Sequence, residues 1–208
     1  MKKKLIIFDL DGVLIDSLNN MKIALKNTEK KMAIKLNFSK YKKFIGLPFE
    51  MIMKNMGIKN NINLIKKNYI YFSDRELSSI SIKKNELKKL QKLKKKYNLA
   101  VYTSKDRYRT KKILNKYNLF KCIVTSDDVL KGKPNPEGLV KILKKTSTKK
   151  QDCAYIGDTL FDYKTAKNAK IKYIHASWGY DKKINKVRSI IKIKNFLNIS
   201  DYLEGKKL

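Results

Sequence analysis

The most constraining stretch of the chain is Leu5-Ile6-Ile7-Phe8, followed at once by Asp9, Asp11 and Gly12. A short apolar run without alternation is the pattern of a strand covered on both faces, as in a parallel sheet. In α/β sheets ligands bind in the crevice outside the carboxyl ends of the strands. Two carboxylates placed there repel each other and resist losing water, so they coexist only with a cation or a shared proton. A solvated acidic turn would carry the same letters, and the remaining chain has to decide between the two.

After Asp16 the pattern turns helical. Ser17 stands where it can cap a helix over residues 18–34. Further helices are expected over 39–44, after Pro48 through Met56, and across 60–77, with breaks at Gly46-Leu47-Pro48 and at Gly57. Residues 15–80 therefore read as all-helical. From Lys83 strand and helix alternate: a helix over 85–97, a strand over 99–102 ending at Thr103 and Ser104, a helix near 106–117 and a strand over 122–124. A Gly/Pro-rich loop, KGKPNPEG, feeds a helix over 139–144. A strand over 154–156 runs into Gly157-Asp158-Thr159, then come a helix to about Ala169 and a strand over 172–175. A short strand near 190–193 and a helix over 196–203 close the series. Repeated units of this length predict an α/β protein, a parallel sheet with helices on both faces.

Polar groups recur where these strands end. Asp9 and Asp11 follow the first, Thr103 and Ser104 the second, Lys133 lies past the third, and Asp158 with Asp162 follows the fourth. A parallel sheet brings such ends to one edge. Three or four carboxylates there can hold a hard cation such as magnesium, which takes oxygen ligands and keeps several waters. A hydroxyl and an ammonium supply donors for phosphoryl oxygens. A carboxylate beside an acid/base group can act as nucleophile and split phosphate-ester hydrolysis through an aspartyl-phosphate. The cation neutralises the charge between an anionic nucleophile and an anionic ester.

FDLDGV, VYTS, KGKP and GDTLFD stand in that order and at these intervals. The set resembles the four motifs of the haloacid-dehalogenase-type phosphohydrolase superfamily, over essentially the whole chain. The resemblance implies a Rossmann-like core over residues 1–14 and 83–208, with residues 15–82 an inserted helical cap of the C1 kind. It implies Asp9 as nucleophile and Asp11 as general acid/base whose backbone carbonyl binds the metal. Thr103, with Ser104 beside it, would bind the transferring phosphoryl group, and Lys133 would neutralise that group and orient Asp9. Asp9 and Asp158 would ligate Mg2+, with Asp162 in the outer part of that site. Gly12 is expected to let the chain leave the strand without crowding the nucleophile.

Within the superfamily, an aspartate two places after the nucleophile separates ester-cleaving members from true dehalogenases, and Asp11 fills that place. GDTLFDYKTAKNAK and Trp178-Gly179-Tyr180 are similar to phosphoglycolate-phosphatase-like members, which Gly46-Leu47-Pro48 fits loosely. Ala169-Lys170 departs from the Ala-Gly usual in that helix. The expected activity is that of a Mg2+-dependent phosphatase acting on a small phosphorylated metabolite. A sugar phosphomutase built on the same core is the alternative.

A net charge of +32 raises the question of nucleic acid. The basic residues are mostly lysine, spread along every predicted helix together with abundant Ile and Asn. A binding face would concentrate charge, recruit Arg and interleave aromatics, so no specific nucleic-acid partner is expected. A catalytically idle, basic nucleic-acid-binding protein is the reading from another class. The field itself would draw in anionic substrates. No apolar run approaches the ~20 residues of a membrane span, and aspartates interrupt the one signal-like stretch. The expectation is a cytoplasmic monomer or homodimer. Cys122 and Cys153 each begin an apolar run and read as buried free thiols. His175, Trp178, Tyr180 and the methionines at 51, 53 and 56 read as packing residues. Asp127 and Asp128 read as turn or cap residues, and Arg107 and Arg109 as solvated, with an anion-facing role near the second strand as the other reading.

Overall fold

The computed structural model describes residues 3–205. Its six strands are β1 (Leu5–Phe8), β2 (Asn98–Tyr102), β3 (Cys122–Val124), β4 (Cys153–Gly157), β5 (Lys172–Ala176) and β6 (Ile191–Ile193). The helices are α1 (Leu18–Met32), α2 (Phe38–Lys42), α3 (Phe49–Asn55), α4 (Ile62–Arg75), α5 (Lys84–Lys96), α6 (Arg107–Leu114), α7 (Glu137–Thr146), α8 (Leu160–Ala169) and α9 (Ile199–Leu203). The strands form one parallel sheet in the order β3-β2-β1-β4-β5-β6.

The short apolar run is the centre of this sheet. β1 pairs with β2 from Leu5↔Asn98 to Phe8↔Val101 and with β4 from Leu5↔Cys153 to Phe8↔Ile156. Period-two alternation sends Ile6 and Phe8 into one layer, with Leu90 and Leu93 of α5 and Ile113 of α6. Leu5 and Ile7 enter the opposite layer, with Leu139 and Ile142 of α7 and Ala166 of α8. Both faces are thus covered, which is why the run shows no polar alternation. The chain winds to one side of β1 through β2 and β3, then crosses to the other side at β4. This topological switch point is where an open α/β sheet leaves its crevice. Asp9 continues the ladder by donating its N–H to the Ile156 carbonyl at 2.8 Å, which fixes its backbone at the sheet edge.

Helices α1 to α4 carry a third apolar cluster of their own, with Ala24, Leu25, Met53 and Ile65 buried in it. They lie over the carboxyl edge of the sheet. Ser17 directly precedes α1, but its hydroxyl does not cap the helix. It donates instead to the buried Asp11 carboxylate. The Leu18 N–H is met by Asp16 at 3.1 Å. A buried carboxylate gains more from a donor than an exposed helix end that water also serves.

Other expectations change in detail. Met53 is buried but Met51 is exposed, and Cys122 is half-buried while Cys153 is buried; both thiols are free. Arg107 is exposed as expected, paired with Asp128 at 2.7 Å. Arg109 is not solvated; it is buried beneath α4. Asp128 closes a capping box with Thr125. His175 is buried in the core, and Trp178 packs edge-on against Phe196. Lys170, the departure from the usual glycine, takes the left-handed position that ends α8, with φ +55°. An L side chain there costs roughly 1–2 kcal/mol. No helix among the described residues is long and apolar enough to cross a membrane.

Candidate active site

The floor of the site is built from the ends of β1, β2 and β4 and the loop after β3. Lys133 reaches inward from that loop, fully buried, and its Nζ lies 2.7 Å from Asp9 Oδ1 and 2.7 Å from Asp162 Oδ1. Asp162 also accepts from the Tyr155 hydroxyl at 2.6 Å, from the Thr159 N–H at 3.0 Å and from the Thr159 hydroxyl at 2.6 Å. The Thr159–Asp162 pair is the capping box that starts α8. Asp158, on the same connection, is treated differently. Its Oδ2 accepts the Tyr180 N–H at 2.5 Å, while its Oδ1 is buried and has no partner.

Carboxylate oxygens of Asp9, Asp158 and Asp162 lie within 4.8 Å of one another. Burial, only partly offset by Lys133, pushes Asp9 up to about 7. Burial, together with the negative charge of Asp162 and Asp9, holds Asp158 well above the usual carboxylate range. At Asp162 burial is outweighed by Lys133 and by the donors from Thr159 and Tyr155, so it lies below that range. Lys133 is raised, because the two carboxylates outweigh its burial. Gly12 has φ +84°, and a Cβ there would stand 2.5 Å from Asp158 Oδ2. The glycine makes room for Asp158 rather than for the nucleophile.

These residues fit a hard divalent cation. An unpartnered buried carboxylate oxygen is costly unless something charged meets it. Asp158 Oδ1 is such an atom, and Asp9 stands beside it with only one oxygen on Lys133. All the accepting capacity of Asp162 is spent on Lys133, Tyr155 and Thr159, so it acts as the counterion that holds Lys133 in place.

The roof comes from the helices. Between it and the floor lies a cavity of about 50 Å³, lined below by Asp9, Asp11 and Thr103 and above by Leu47, Phe49 and Ile52. The loop between α2 and α3 docks directly on the strand ends. Ser104 donates to the Gly46 carbonyl at 2.7 Å, and a Cβ on Gly46, at φ +104°, would come within 2.7 Å of Thr159 Oγ1. The Ser104 hydroxyl is therefore committed to this loop. Thr103 is buried and accepts the Lys105 N–H at 3.1 Å, which leaves its own hydroxyl proton available. Tyr180 ties the first connection down, accepting the Ser17 N–H at 2.7 Å and donating to Asp16 at 3.1 Å.

Two buried cations line this cavity, of which the sequence raised only Arg109, together with Arg107, as a group that could face an anion. Lys105 Nζ lies 3.1 Å from Asp11 Oδ1, and burial, opposed by Asp11, holds its ammonium below the ordinary lysine value. Arg109 pairs with Asp106 at 2.5 Å, donates to Ser73 at 2.9 Å and lies over the Tyr69 ring. Lys105 follows directly after VYTS, and Arg109 comes four residues later. In a chain with 50 Lys and Arg, nothing marks these two letters apart from the rest.

The haloacid dehalogenase-like hydrolase family model matches residues 6–176, which includes every one of the strand ends just described. The chain belongs to this family. The phosphoglycolate phosphatase of Aquifex aeolicus is 30% identical over 190 residues, covering 86% of this chain and 87% of that one. The pyrophosphatase PpaX of Oceanobacillus iheyensis is 24% identical over 186 residues, covering 86% of each. In fold the chain is similar to a hydrolase from Pseudomonas syringae, with a TM-score of 0.85 and 23% identity across 98% of this chain and 99% of that one. It is also similar to the haloacid dehalogenase-like protein SP0104 of Streptococcus pneumoniae, with a TM-score of 0.82 and 22% identity across 97% and 98%. The chain is a phosphatase-type member of the family.

Proposed function

We propose that the chain is a Mg2+-dependent phosphatase that hydrolyses a small phosphorylated metabolite through an aspartyl-phosphate on Asp9. The observation that carries this reading is the pair of buried carboxylates, Asp9 clamped by Lys133 and Asp158 with an oxygen left open, beside a small cavity. Asp9 attacks with the oxygen that Lys133 does not hold. The ester P–O bond breaks as Asp11 gives its proton to the leaving oxygen. Asp11 then takes a proton from the water that hydrolyses the phosphoaspartate, and inorganic phosphate leaves. Lys133 and the Thr103 hydroxyl offset charge on the phosphoryl oxygens. Asp9, Asp158 and the backbone carbonyl of Asp11 would hold Mg2+, which supplies charge neutralisation between nucleophile and ester.

In this reading residues 15–82 form the cap, over a core of residues 1–14 and 83–208. The docked loop excludes bulk water and limits the size of the leaving group. The names of the relatives point to phosphoglycolate and pyrophosphate, both small, and 2-phosphoglycolate is the substrate to try first. The net charge of +32 draws such anions in. A phosphate-release screen over two-carbon, sugar and nucleotide phosphates tests it. Release from the smallest esters, dependent on Mg2+ and abolished by chelation, is expected. Release undiminished after exhaustive chelation would contradict the metal's role.

A further inference from the structure

The two cations that border the cavity are committed to very different degrees. Arg109 donates to the Asp106 carboxylate and the Ser73 hydroxyl and lies over the face of Tyr69. Lys105 has a single ionic partner among the described residues, Asp11, although an ammonium carries three donors. Its backbone is held at both ends, the N–H on Thr103 Oγ1 at 3.1 Å and the carbonyl accepting the Ser126 N–H at 3.1 Å. The side chain is buried and lines the cavity. Lys105 is thus a preplaced cation on a rigid base.

Its position assigns it a side of the reaction. Asp9 and Lys133 face the phosphorus. Asp11, in the role proposed above, faces the leaving-group oxygen, so the ammonium beside Asp11 lies on the leaving-group side. The roof offers no competing charge there: Met21, Ile45, Leu47, Phe49 and Ile52 are apolar. The Glu50 carboxylate nearby is already paired with Lys66 at 2.6 Å. A leaving group carrying its own anion would find Lys105 beside Asp11, an ammonium with donors to spare.

We infer that Lys105 is a specificity-determining residue that binds an anionic group on the leaving group. The substrates it selects are small diacids, in which one or two atoms join the phosphoryl group to a carboxylate or a second phosphate. This inference rests on the phosphatase reading and deepens it. The cavity beside Lys105 is small, about 50 Å³. In the complex the ammonium bridges Asp11 and the substrate's second anion, so its charge is used twice.

The test compares two esters of nearly equal size with Mg2+ present: 2-phosphoglycolate, and 2-hydroxyethyl phosphate, in which the carboxylate is replaced by a neutral alcohol. The wild type is expected to prefer the diacid in kcat/KM by about 10–100-fold, the worth of a charge-assisted hydrogen bond in a buried site. Lys105→Met should collapse that ratio toward unity, mostly through KM for the diacid, and Lys105→Arg should restore part of it. A calorimetric titration of 2-phosphoglycolate into Asp9→Asn, with and without Lys105→Met, should give the same split in affinity. Equal losses on both esters in Lys105→Met would show that Lys105 serves only Asp11 and would overturn the inference alone. A wild type that turns over both esters equally well would overturn it too, and that result needs no variant to fold. A wild type inert toward both esters and the wider panel would overturn the phosphatase reading, and this inference with it.

Discussion

The floor and the roof of the cavity are made of opposite materials. On the floor nearly every polar atom has a partner. Lys133 is held by two carboxylates and Asp162 takes four donated hydrogen bonds, while Asp158 Oδ1, one of the buried atoms without a partner, lies where a cation is needed. On the roof the lining is apolar and aromatic, supplied by helices with their own core. Preorganised charge on a rigid sheet edge suits bond-breaking, because the dipoles and charges need not rearrange as the reaction proceeds. An apolar lid suits exclusion, through its volume and its refusal of water. Changes to the floor should therefore destroy turnover, and changes to the roof should redirect it.

Lys133→Met tests the floor most severely. Removing one charge-stabilising donor from such a site costs about 10²–10³-fold in turnover. Leaving Asp9 and Asp162 buried without their cation should also cost about 3–5 kcal/mol of stability, readable by urea unfolding. Retention of wild-type turnover in a folded variant would break the contrast. Asp158→Asn comes next. It should raise the Mg2+ concentration for half-maximal activity by more than the roughly 10–100-fold that losing an outer partner of a metal ligand costs.

Titration of the same carboxylates gives a milder effect. With Asp9 raised from 3.8 to about 7 and Asp158 raised as well, their contribution to folding without metal is fully present below their unfolded values. It is lost as pH rises toward neutrality, where the native carboxylates must ionise. Mg2+ binds the ionised forms, so its stabilising shift in Tm should grow from pH 5 to pH 8. A shift independent of pH would contradict this. Smallest is the expected effect at the roof. Ile52→Ala enlarges the cavity and should change kcat on 2-phosphoglycolate by less than about 10-fold, while bulkier esters gain relative to it. A loss as deep as that of Lys133→Met would mean that the roof takes part in the chemistry.

The same division explains what could be read from the letters. Asp9, Thr103 and Asp158 each stand directly after a strand, where apolar run and turn fix their place, while Lys133 comes from the loop after β3 and Asp162 from the first turn of α8; the structure brings them together. The alternation of strands and helices was equally legible, because burial on both faces of β1 leaves a distinctive pattern. Contacts between roof and floor were not. Ser17 turns to Asp11 instead of its helix, Ser104 spends its hydroxyl on Gly46, and Tyr180 reaches Asp16 across 164 positions. No local spacing encodes such meetings. Lys105 was hidden, and Arg109 left between a solvated and an anion-facing reading, for another reason: lysine and arginine are read as solvated by default, and only tertiary burial distinguishes these two.

The most direct test is capture of the intermediate. Protein mixed with Mg2+ and an excess of 2-phosphoglycolate, quenched in acid within milliseconds and digested, should yield a peptide containing Asp9 with the mass gain of one phosphoryl group, absent from Asp9→Asn and cleared after a longer delay. Turnover of the ester by Asp9→Asn at the wild-type rate, or a phosphoryl group found on a different residue, would contradict the account.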